Sequence, residues 1–182
     1  NVIVTQGVLN AMQPAAVKRP GYTVVMVGGV SKHFLWDDAQ VLAQLEQIMA
    51  RHPQVRLTDS RRTPAALRTT LAARWPVEYQ PWEQCQSGWL ASELAIAENA
   101  WVTEDSVSMI YEALTAGCAV GLVGLNGPGG GVGRLVGGIG GGAQGGFVSR
   151  LRNIGGGGGL KPADSVLAES KRIARLLMGS CD

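Results

Sequence analysis

Residues 100–125 read A-W-V-T-E-D-S-V-S-M-I-Y-E-A-L-T-A-G-C-A-V-G-L-V-G-L, and this stretch decides the fold. An apolar run at 100–103 ends in a polar loop, and from Ser106 onward the apolar residues recur at helical spacing. Gly117 is placed to end the helix in the left-handed conformation, and residues 118–123 form a second apolar run. The stretch therefore predicts a strand, a helix and a second strand in succession.

Two apolar runs joined by a helix are typical of a parallel sheet that is buried on both faces. In such sheets ligands bind beyond the carboxyl ends of the strands, where the helices begin. Free N–H groups there would receive a phosphate, and Ser106 could cap the helix. We therefore expect a ligand site that draws on Thr103, Glu104, Asp105, Ser106 and Ser108, with Glu112 projecting toward it two turns into the helix. The alternative is a plain helix N-terminus, with Asp105 or Ser106 as its cap and Glu112 in solvent.

Size and composition fit one globular α/β domain. The chain has 182 residues, of which 46% are hydrophobic and 16% charged, which excludes a disordered protein. Its net charge of +2 gives no electrostatic reason to expect a nucleic-acid partner, and we predict none. The sequence contains no signal peptide and no apolar segment long enough to span a bilayer.

The cysteines and histidines predict neither a disulfide framework nor a metal site. Cys85, Cys118 and Cys181 are too few and too scattered for such a framework. His33 and His52 share no metal-ligand spacing with them or with each other. We expect a reducing, cytoplasmic setting.

The beginning of the chain suggests part of a longer protein. It lacks an initiator Met and opens directly in a strand-like run at residues 2–5. Residues 6–21 contain two prolines and little periodicity, which indicates a connector. We therefore interpret residues 1–21 as a strand and connector from a missing amino-terminal domain, and residues 22–182 as one domain.

A glycine turn follows the next apolar run, Y-T-V-V-M-V at residues 22–27. Gly28 and Gly29 let the backbone turn sharply and approach a ligand closely. Groups that suit a phosphate or diphosphate follow at Ser31, Lys32 and His33. The alternative is a tight strand-to-helix turn with polar residues at the surface.

A second polar loop follows a strand predicted at Gln54–Thr58. Between positions 51 and 74 there are six arginines and one acidic residue. Adjacent arginines at the carboxyl end of a strand could hold a phosphate bidentately, and this loop offers Ser60, Arg61 and Arg62. The alternative is that these arginines are simply solvated.

The remaining segments alternate between helical and strand patterns. Helices are predicted from Asp37 or Asp38 to about residue 51 and from Pro64 to about residue 75, and a short strand is predicted at 77–79. A further helix is predicted from an apolar face made by Trp89, Leu90, Leu94 and Ala97. The alternation predicts an α/β fold, a Rossmann-like parallel sheet with helices on both faces.

Residues 126–160 form a glycine-rich tract of uncertain structure. Eighteen of the 26 glycines lie between Gly124 and Gly159, yet the apolar residues at 132–147 keep helical spacing. Each interior glycine costs a helix about 0.5–1 kcal/mol relative to alanine, so the tract would not readily hold one as written. We hypothesise that several glycines stand where the natural chain has other solvent-facing residues, which glycine codons at 137–142 would contradict. The alternative is a disordered insertion, and a closing helix is predicted beyond it.

Four loop motifs occur in a fixed order: V-T-Q-G-V-L-N at 4–10, V-G-G-V-S-K-H-F-L-W-D at 27–37, S-R-R-T-P at 60–64 and V-T-E-D-S-V-S-M-I-Y-E-A at 102–113. Together they resemble the bacterial relatives of the plant mitochondrial fission factor, which are also labelled predicted nucleoside-diphosphate-sugar epimerases. That family is similar to the GT-B glycosyltransferases, in which two Rossmann-like domains face each other across a cleft. The resemblance implies that this chain is the carboxyl-terminal, donor-binding half, with residues 22–182 as its Rossmann-like nucleotide-sugar-binding domain.

The resemblance also implies roles for single residues. The segment 105–117 is similar to the donor-site motif of the lipid-II-forming N-acetylglucosaminyltransferase. By that similarity Glu112 would hold the ribose hydroxyls of a nucleotide, and the diphosphate would lie beside Ser106, Ser108 and Met109. The Gly-rich turn that faces the same phosphates is matched by Gly28, Gly29 and Ser31.

Two functions are predicted. The first is a glycosyltransferase that binds a nucleotide-diphosphate sugar, with the leaving diphosphate stabilised by helix N-termini and by Lys32, Arg61 and Arg62. Its general base would lie in the missing amino-terminal half. The second is a non-catalytic adaptor or membrane-remodelling protein on the same fold, which the resemblance to the fission factor implies, with peripheral association at the inner face of the membrane. A nicotinamide-dependent epimerase is the weakest interpretation, because the G-x-G-x-x-G fingerprint is absent after residues 22–27, and we predict no cofactor.

Overall fold

The computed structural model describes residues 10–126 and the backbone of residues 148–150. In chain order the described elements are β1 (Arg19–Met26), α1 (Asp38–Arg51), β2 (Gln54–Thr58), α2 (Ala65–Arg74), β3 (Tyr79–Gln80), a 3₁₀ turn (Trp82–Gln84), α3 (Trp89–Ile96), β4 (Ala97–Thr103), α4 (Val107–Thr115), β5 (Ala119–Val123) and β6 (Val148–Arg150). The predictions for residues 2–5, for the glycine tract and for the closing helix lie outside the described residues.

The strands described here form one parallel sheet of six, in the order β3-β2-β1-β4-β5-β6. The chain moves outward from β1 to β3, returns to the other side of β1 with β4, and then moves outward again. β1 and β4 are therefore the topological switch point, the position at which open parallel sheets commonly form a crevice for a ligand. This arrangement is the α/β, Rossmann-like fold that the sequence predicts.

Helices cover both faces of the sheet and bury a hydrophobic core on each. On one side α3 and α4 pack against the sheet, in a cluster that includes Val24, Met26, Leu94, Val102, Ile110 and Leu114. On the other side α1 and α2 do the same, in a cluster that includes Val25, Val27, Val41, Leu45, Leu57 and Leu71. Successive residues of β1 thus alternate between two buried faces. Burial on both faces explains why the strand sequences are apolar throughout.

The helix ends confirm two predictions and contradict a third. Asp37 Oδ1 accepts two backbone N–H bonds from the first turn of α1, at 2.9 and 3.3 Å, so it is the predicted cap. Gly117 has φ of 79° and ends α4 in the left-handed conformation. The prediction that Ala97 belongs to α3 is wrong, because its φ of −68° and ψ of 131° are extended and it pairs with Arg19 of β1.

The connector before β1 is docked on the C-terminal ends of two helices. Lys18 Nζ donates to the carbonyl groups of Leu94 and Ala95 in the last turn of α3, at 3.1 and 2.8 Å. It also donates to the carbonyl of Ala116 at the end of α4, at 2.5 Å. A cation at this position satisfies unpaired carbonyls and stabilises the negative ends of both helix dipoles. Burial lowers the pKa of Lys18, partly offset by the nearby Cys118.

Candidate functional site

The loop after β1 is held against the loop after β4 by short backbone contacts. The Gly28 N–H donates to Thr103 Oγ1 at 2.7 Å, and the Gly29 N–H donates to Asp105 Oδ2 at 3.0 Å. A Cβ on Gly28 would lie 2.4 Å from the Asp105 carboxylate, and one on Gly29 would lie 2.0 Å from the carbonyl oxygen of Arg62. Only glycine fits either position without displacing its neighbours. The two glycines of the predicted site therefore lie closely against the protein's own loops.

Asp105 is a buried carboxylate that pairs with an arginine from the loop after β2. Its side chain is fully buried, and Oδ2 lies 2.7 Å from Nη2 of Arg62, whose side chain is 43% exposed. Arg62 Nη1 also donates to the carbonyl groups of Gly29 and Val30, both at 3.2 Å. A buried carboxylate needs such partners because removing a charge from water is costly. Asp105 Oδ1 is buried as well, and it has no hydrogen-bond partner among the described residues.

The loop after β2 also shapes the glycine turn through its hydroxyl groups. Ser60 Oγ donates to the Gly28 carbonyl at 2.8 Å, and Thr63 Oγ1 donates to the same carbonyl. The backbone N–H of Arg62 donates to Ser60 Oγ at 3.2 Å. Ser60, a predicted site residue, thus helps to hold the crevice in shape. Thr63, which the sequence did not single out, has the same role.

The two adjacent arginines make different contacts. Arg62 bonds to Asp105, whereas the guanidinium carbon of Arg61 lies 5.3 Å from the centroid of the Trp82 ring. That distance is within the range of a cation–π interaction. Two side chains expected to hold one phosphate together are therefore engaged in two separate contacts.

Helix α4 begins at the edge of the crevice. Ser106 is its N-cap residue and is buried, but its side chain makes no capping hydrogen bond, so the prediction that it caps the helix is wrong. Its φ of −110° and ψ of 82° differ from the extended backbone that brings a capping hydroxyl to the first-turn N–H groups. The next two predicted residues lie in the first turn, where Ser108 is exposed and Met109 is half-buried.

Glu104 is buried and bonded to the chain that leaves β5. Its Oε2 accepts the N–H of Leu125 at 3.1 Å, and its backbone N–H donates to the carbonyl of Val123 at 3.1 Å. The Gln44 side chain of α1 holds the preceding Gly124 through two hydrogen bonds of 2.8 Å each. Glu104 therefore helps to fix the path of the chain beyond β5, a role that its position in the loop did not reveal.

Residues 31–33 form a short turn between the glycine pair and α1. Ser31 makes a β-bridge with Phe34, and the His33 N–H donates to Ser31 Oγ at 3.4 Å. Lys32 is exposed and His33 is partly buried. Within residues 10–126, no hydrogen bond or ion pair joins either side chain to the Asp105–Arg62 pair.

Glu112 lies on α4, one turn after Ser108, and is partly buried. Burial raises the pKa of its carboxyl group. The described part of the chain supplies no hydrogen bond or ion pair to this carboxylate. A partly desolvated acid with a raised pKa is the kind of group that is enriched at ligand sites.

A cavity of about 250 Å³ lies at the carboxyl end of β2, next to the crevice. Three predicted site residues line it, namely Ser60, Arg61 and Met109. Sequence reasoning missed the other lining residues, which are Thr58, Asp59, Trp82, Cys85, Trp89 and Leu90. The segment P-W-E-Q-C-Q-S-G-W at 81–89 places two indoles just after β3, and that spacing could have indicated an aromatic wall at this edge.

Asp59 anchors one side of the cavity. It is buried, its Oδ1 accepts the backbone N–H of Trp82 at 2.7 Å, and its Oδ2 lies 2.9 Å from Arg68 Nε. Burial raises the pKa of Asp59, although the Trp82 hydrogen bond and the Arg68 charge act in the opposite direction. Arg68 also pairs with Glu83 at 2.8 Å and bonds to the Ser60 carbonyl at 2.8 Å. The position of Trp82 is therefore fixed from the buried side.

Within the described ranges, no three His, Cys, Asp or Glu side chains are grouped as a metal site would require. The helices of the same part of the chain are also too short or too polar to cross a bilayer.

A family model described as Mitochondrial fission ELM1 matches residues 1–179 of the chain. No curated protein matches it. Among solved structures, the chain is similar to the one described as "Crystal Structure Analysis of the Glycotransferase of kitacinnamycin", with 15% identity and a TM-score of 0.38. The similarity covers 94% of the present chain and 39% of that protein, so the present chain spans less than half of its length.

Proposed function

The chain belongs to the mitochondrial fission ELM1 family, and on that premise we propose that it binds a nucleotide-diphosphate sugar at the carboxyl ends of its parallel strands, as the donor half of a glycosyltransferase-like protein. One observation carries the proposal. The loops after β1, β2 and β4 meet at the topological switch point, the position where open parallel sheets bind their ligands.

Hydrogen-bond donors at this position suit a diphosphate. A guanidinium has five N–H donors, and Arg62 uses one for Asp105 and two for the carbonyls of Gly29 and Val30. Among the described residues, the other two donors of Arg62 have no partner. They remain for a ligand on a side chain that is 43% exposed. The first N–H groups of α4 add the positive end of a helix dipole.

The cavity beside the crevice suits the ring of a nucleotide. Its volume of about 250 Å³ is slightly below the range of whole drug-sized pockets, about 300–1,000 Å³. It would hold one ring system and leave the phosphates and the sugar outside, toward the crevice. Its lining combines apolar and aromatic side chains with a few polar groups, as ligand sites usually do.

The same geometry supports a role in group transfer. Cleavage of a sugar–diphosphate bond leaves negative charge on the diphosphate, and fixed donors stabilise that charge in the transition state. In this chain Arg62 and the beginning of α4 would do so. Glu112 would accept hydrogen bonds from the ribose hydroxyls once its carboxyl group is ionised. The sugar would pass to a second substrate, the acceptor, and the general base would lie in another domain.

A thermal-shift screen of the purified chain with UDP-, GDP-, ADP- and CMP-linked sugars tests the proposal. A ligand present at a hundred times its dissociation constant adds about 2.7 kcal/mol to the free energy of unfolding, which raises the melting temperature measurably. Glu112→Gln should reduce the shift, while the matched control Glu46→Gln, on the exposed side of α1, should not. If none of these nucleotide sugars changes the melting temperature, the proposal is refuted.

A non-catalytic adaptor or membrane-associated protein is the second candidate, and the loop after β1 supports it. Val30 is 57% exposed and Leu35 is 68% exposed, with the exposed cation of Lys32 between them. Apolar side chains beside a cation suit contact with an anionic lipid surface. Co-sedimentation with phosphatidylserine vesicles should occur and should weaken in Leu35→Ser. Equal recovery of the chain with and without vesicles would exclude this candidate.

A further inference from the structure

Three arginines lie near the cavity, and the charges of two of them are already engaged. Arg68 pairs with Asp59 at 2.9 Å and with Glu83 at 2.8 Å. Arg62 pairs with Asp105 at 2.7 Å. Neither guanidinium is therefore available as a full unit of positive charge for a ligand.

Arg61 differs from both. It is exposed, and within the described part of the chain it makes no ion pair; its guanidinium carbon lies 5.3 Å from the Trp82 ring centroid. The same two residues line the cavity. Among the described residues, Arg61 is thus the cationic side chain at this cavity that contacts an aromatic ring and no carboxylate.

Trp82 is held in place independently of Arg61. Its backbone N–H donates to Asp59 Oδ1 at 2.7 Å, and Arg68 lies 5.7 Å from its ring centroid. Its indole Nε1 is buried and has no hydrogen-bond partner among the described residues. A movement of Arg61 would therefore leave the backbone of Trp82 and its contact with Arg68 in place and would uncover part of the ring.

We propose that Arg61 is the anion-recognition residue of this cavity and that it exchanges partners on binding. In the structure its guanidinium lies over the Trp82 ring. When the ring of a nucleoside diphosphate enters the cavity, the guanidinium moves to the diphosphate. This inference rests on the proposed function, and it adds Arg61, as the contact that supplies a full positive charge, to the remaining donors of the neighbouring Arg62.

The free energy of the exchange favours the contact with the diphosphate over the contact with Trp82. A guanidinium on an exposed aromatic face is held more weakly than one that makes charge-assisted, bidentate hydrogen bonds to a phosphate. The planar fork of arginine suits both partners, whereas a lysine ammonium offers a point charge. The ring of the ligand can then stack on the face of Trp82 that Arg61 leaves.

Isothermal titration calorimetry on the purified chain tests the contact between Arg61 and the diphosphate. The probes are UDP and ADP, their nucleosides uridine and adenosine, inorganic pyrophosphate, and UDP-N-acetylglucosamine. The variants are Arg61→Ala, Arg61→Lys and the control Arg74→Ala, which removes an exposed arginine of the next helix whose partner is Glu46. We expect Arg61→Ala to weaken binding of the preferred diphosphate about tenfold and to leave its nucleoside within about twofold of wild type. The affinity of Arg61→Lys for the diphosphate should lie between those of Arg61→Ala and wild type, and the affinity of Arg74→Ala should match wild type.

The possible results separate this inference from the proposed function. Unchanged affinity of Arg61→Ala for the diphosphate overturns the inference, even if UDP-N-acetylglucosamine binds. An equal loss for diphosphate and nucleoside also overturns it, because Arg61 would then act on the cavity and not on the anion. Binding of a diphosphate that depends on Arg61, without binding of the nucleotide sugar, supports the inference and counts against the proposed function. If no probe binds the wild-type chain, both are overturned.

Discussion

Breaking the Arg62–Asp105 pair tests whether this contact holds the crevice together. Arg62→Met removes one charge-assisted bond of 2.7 Å and two bonds of 3.2 Å to carbonyl groups, and keeps an unbranched side chain. Hydrogen bonds to charged groups contribute about 1.5–3 kcal/mol each. Because the Arg62 side chain is 43% exposed, solvent screening reduces the total, and we expect the free energy of unfolding to fall by about 2–3 kcal/mol.

A double-mutant cycle makes the test specific. Asp105→Asn removes the charge but keeps an oxygen that can accept the Gly29 N–H, so its loss should be about 1–2 kcal/mol. Arg62→Met alone leaves a buried carboxylate without its cation, whereas the double variant buries no charge. The double variant should therefore lose about 1 kcal/mol less than the sum of the two single variants.

Urea unfolding of the four proteins at neutral pH, followed by tryptophan fluorescence, measures these values. The exposed pair Arg74–Glu46, with side chains 48% and 51% exposed, is the control, and its cycle should give a coupling below about 0.5 kcal/mol. If the loss of unfolding free energy in the double variant equals the sum of the two single-variant losses to within about 0.5 kcal/mol, the Arg62–Asp105 pair does not stabilise the crevice as argued.

Three further predictions concern stability. Gly29→Ala places a Cβ 2.0 Å from the carbonyl oxygen of Arg62, so it should cost about 1–3 kcal/mol in urea unfolding, and wild-type stability would contradict the close approach. Lys18→Met removes the bonds of one ammonium to three carbonyls, of which Ala95 keeps the Ala15 N–H and Leu94 keeps the Cys118 thiol, and it should cost about 2 kcal/mol by the same assay. A loss below about 0.5 kcal/mol would show that the connector is not held by this contact. The Trp101 indole N–H donates to His52 Nε2 at 3.1 Å, a bond that only the neutral imidazole accepts, and burial lowers the pKa of His52. In the unfolded chain His52 has its ordinary pKa of about 6.5, so it binds a proton more readily there than in the folded chain. The stability that is present above pH 6.5 is therefore lost as the pH falls through 6.5 and then through the lowered pKa of the folded state. In His52→Gln the urea midpoint should change less between about pH 7 and pH 5 than in the wild-type chain. An equal dependence of the midpoint on pH in both proteins would contradict this.

The sheet was predictable because its strands are apolar runs between polar loops. Gln54–Thr58 was predicted with the bounds that the structure has, and the turn at Gly117 was predicted from residue type alone. Ala97 was assigned wrongly because alanine fits both a helix face and a buried strand. Its pairing with Arg19, far earlier in the chain, decided the matter, and local periodicity contains no information about such a partner.

The loops of the candidate site were predictable, but the partners of their side chains were not. Arg61 and Arg62 are adjacent and chemically identical, so no local pattern distinguishes them. Their different contacts come from Trp82 and Asp105, which lie elsewhere in the sequence and reach the loop only through the fold. For the same reason the sequence did not reveal the contact of Glu104 with the chain beyond β5.

The strand order determines what a ligand meets in the crevice. Because β4 returns to the side of β1, the N–H of Gly29 bonds to a carboxylate 76 residues away, and Arg62 bonds to the same carboxylate from a third loop. Asp105 thus occupies the donors that an incoming anion would otherwise use at the deepest point. A diphosphate in the crevice would be repelled by that charge unless it stayed further out, where the remaining donors of Arg62, the beginning of α4 and Arg61 are accessible. The fold therefore favours a ligand whose phosphates lie at the rim and whose ring enters the cavity beside it, and the Arg61 titrations test the contribution of Arg61 to that arrangement.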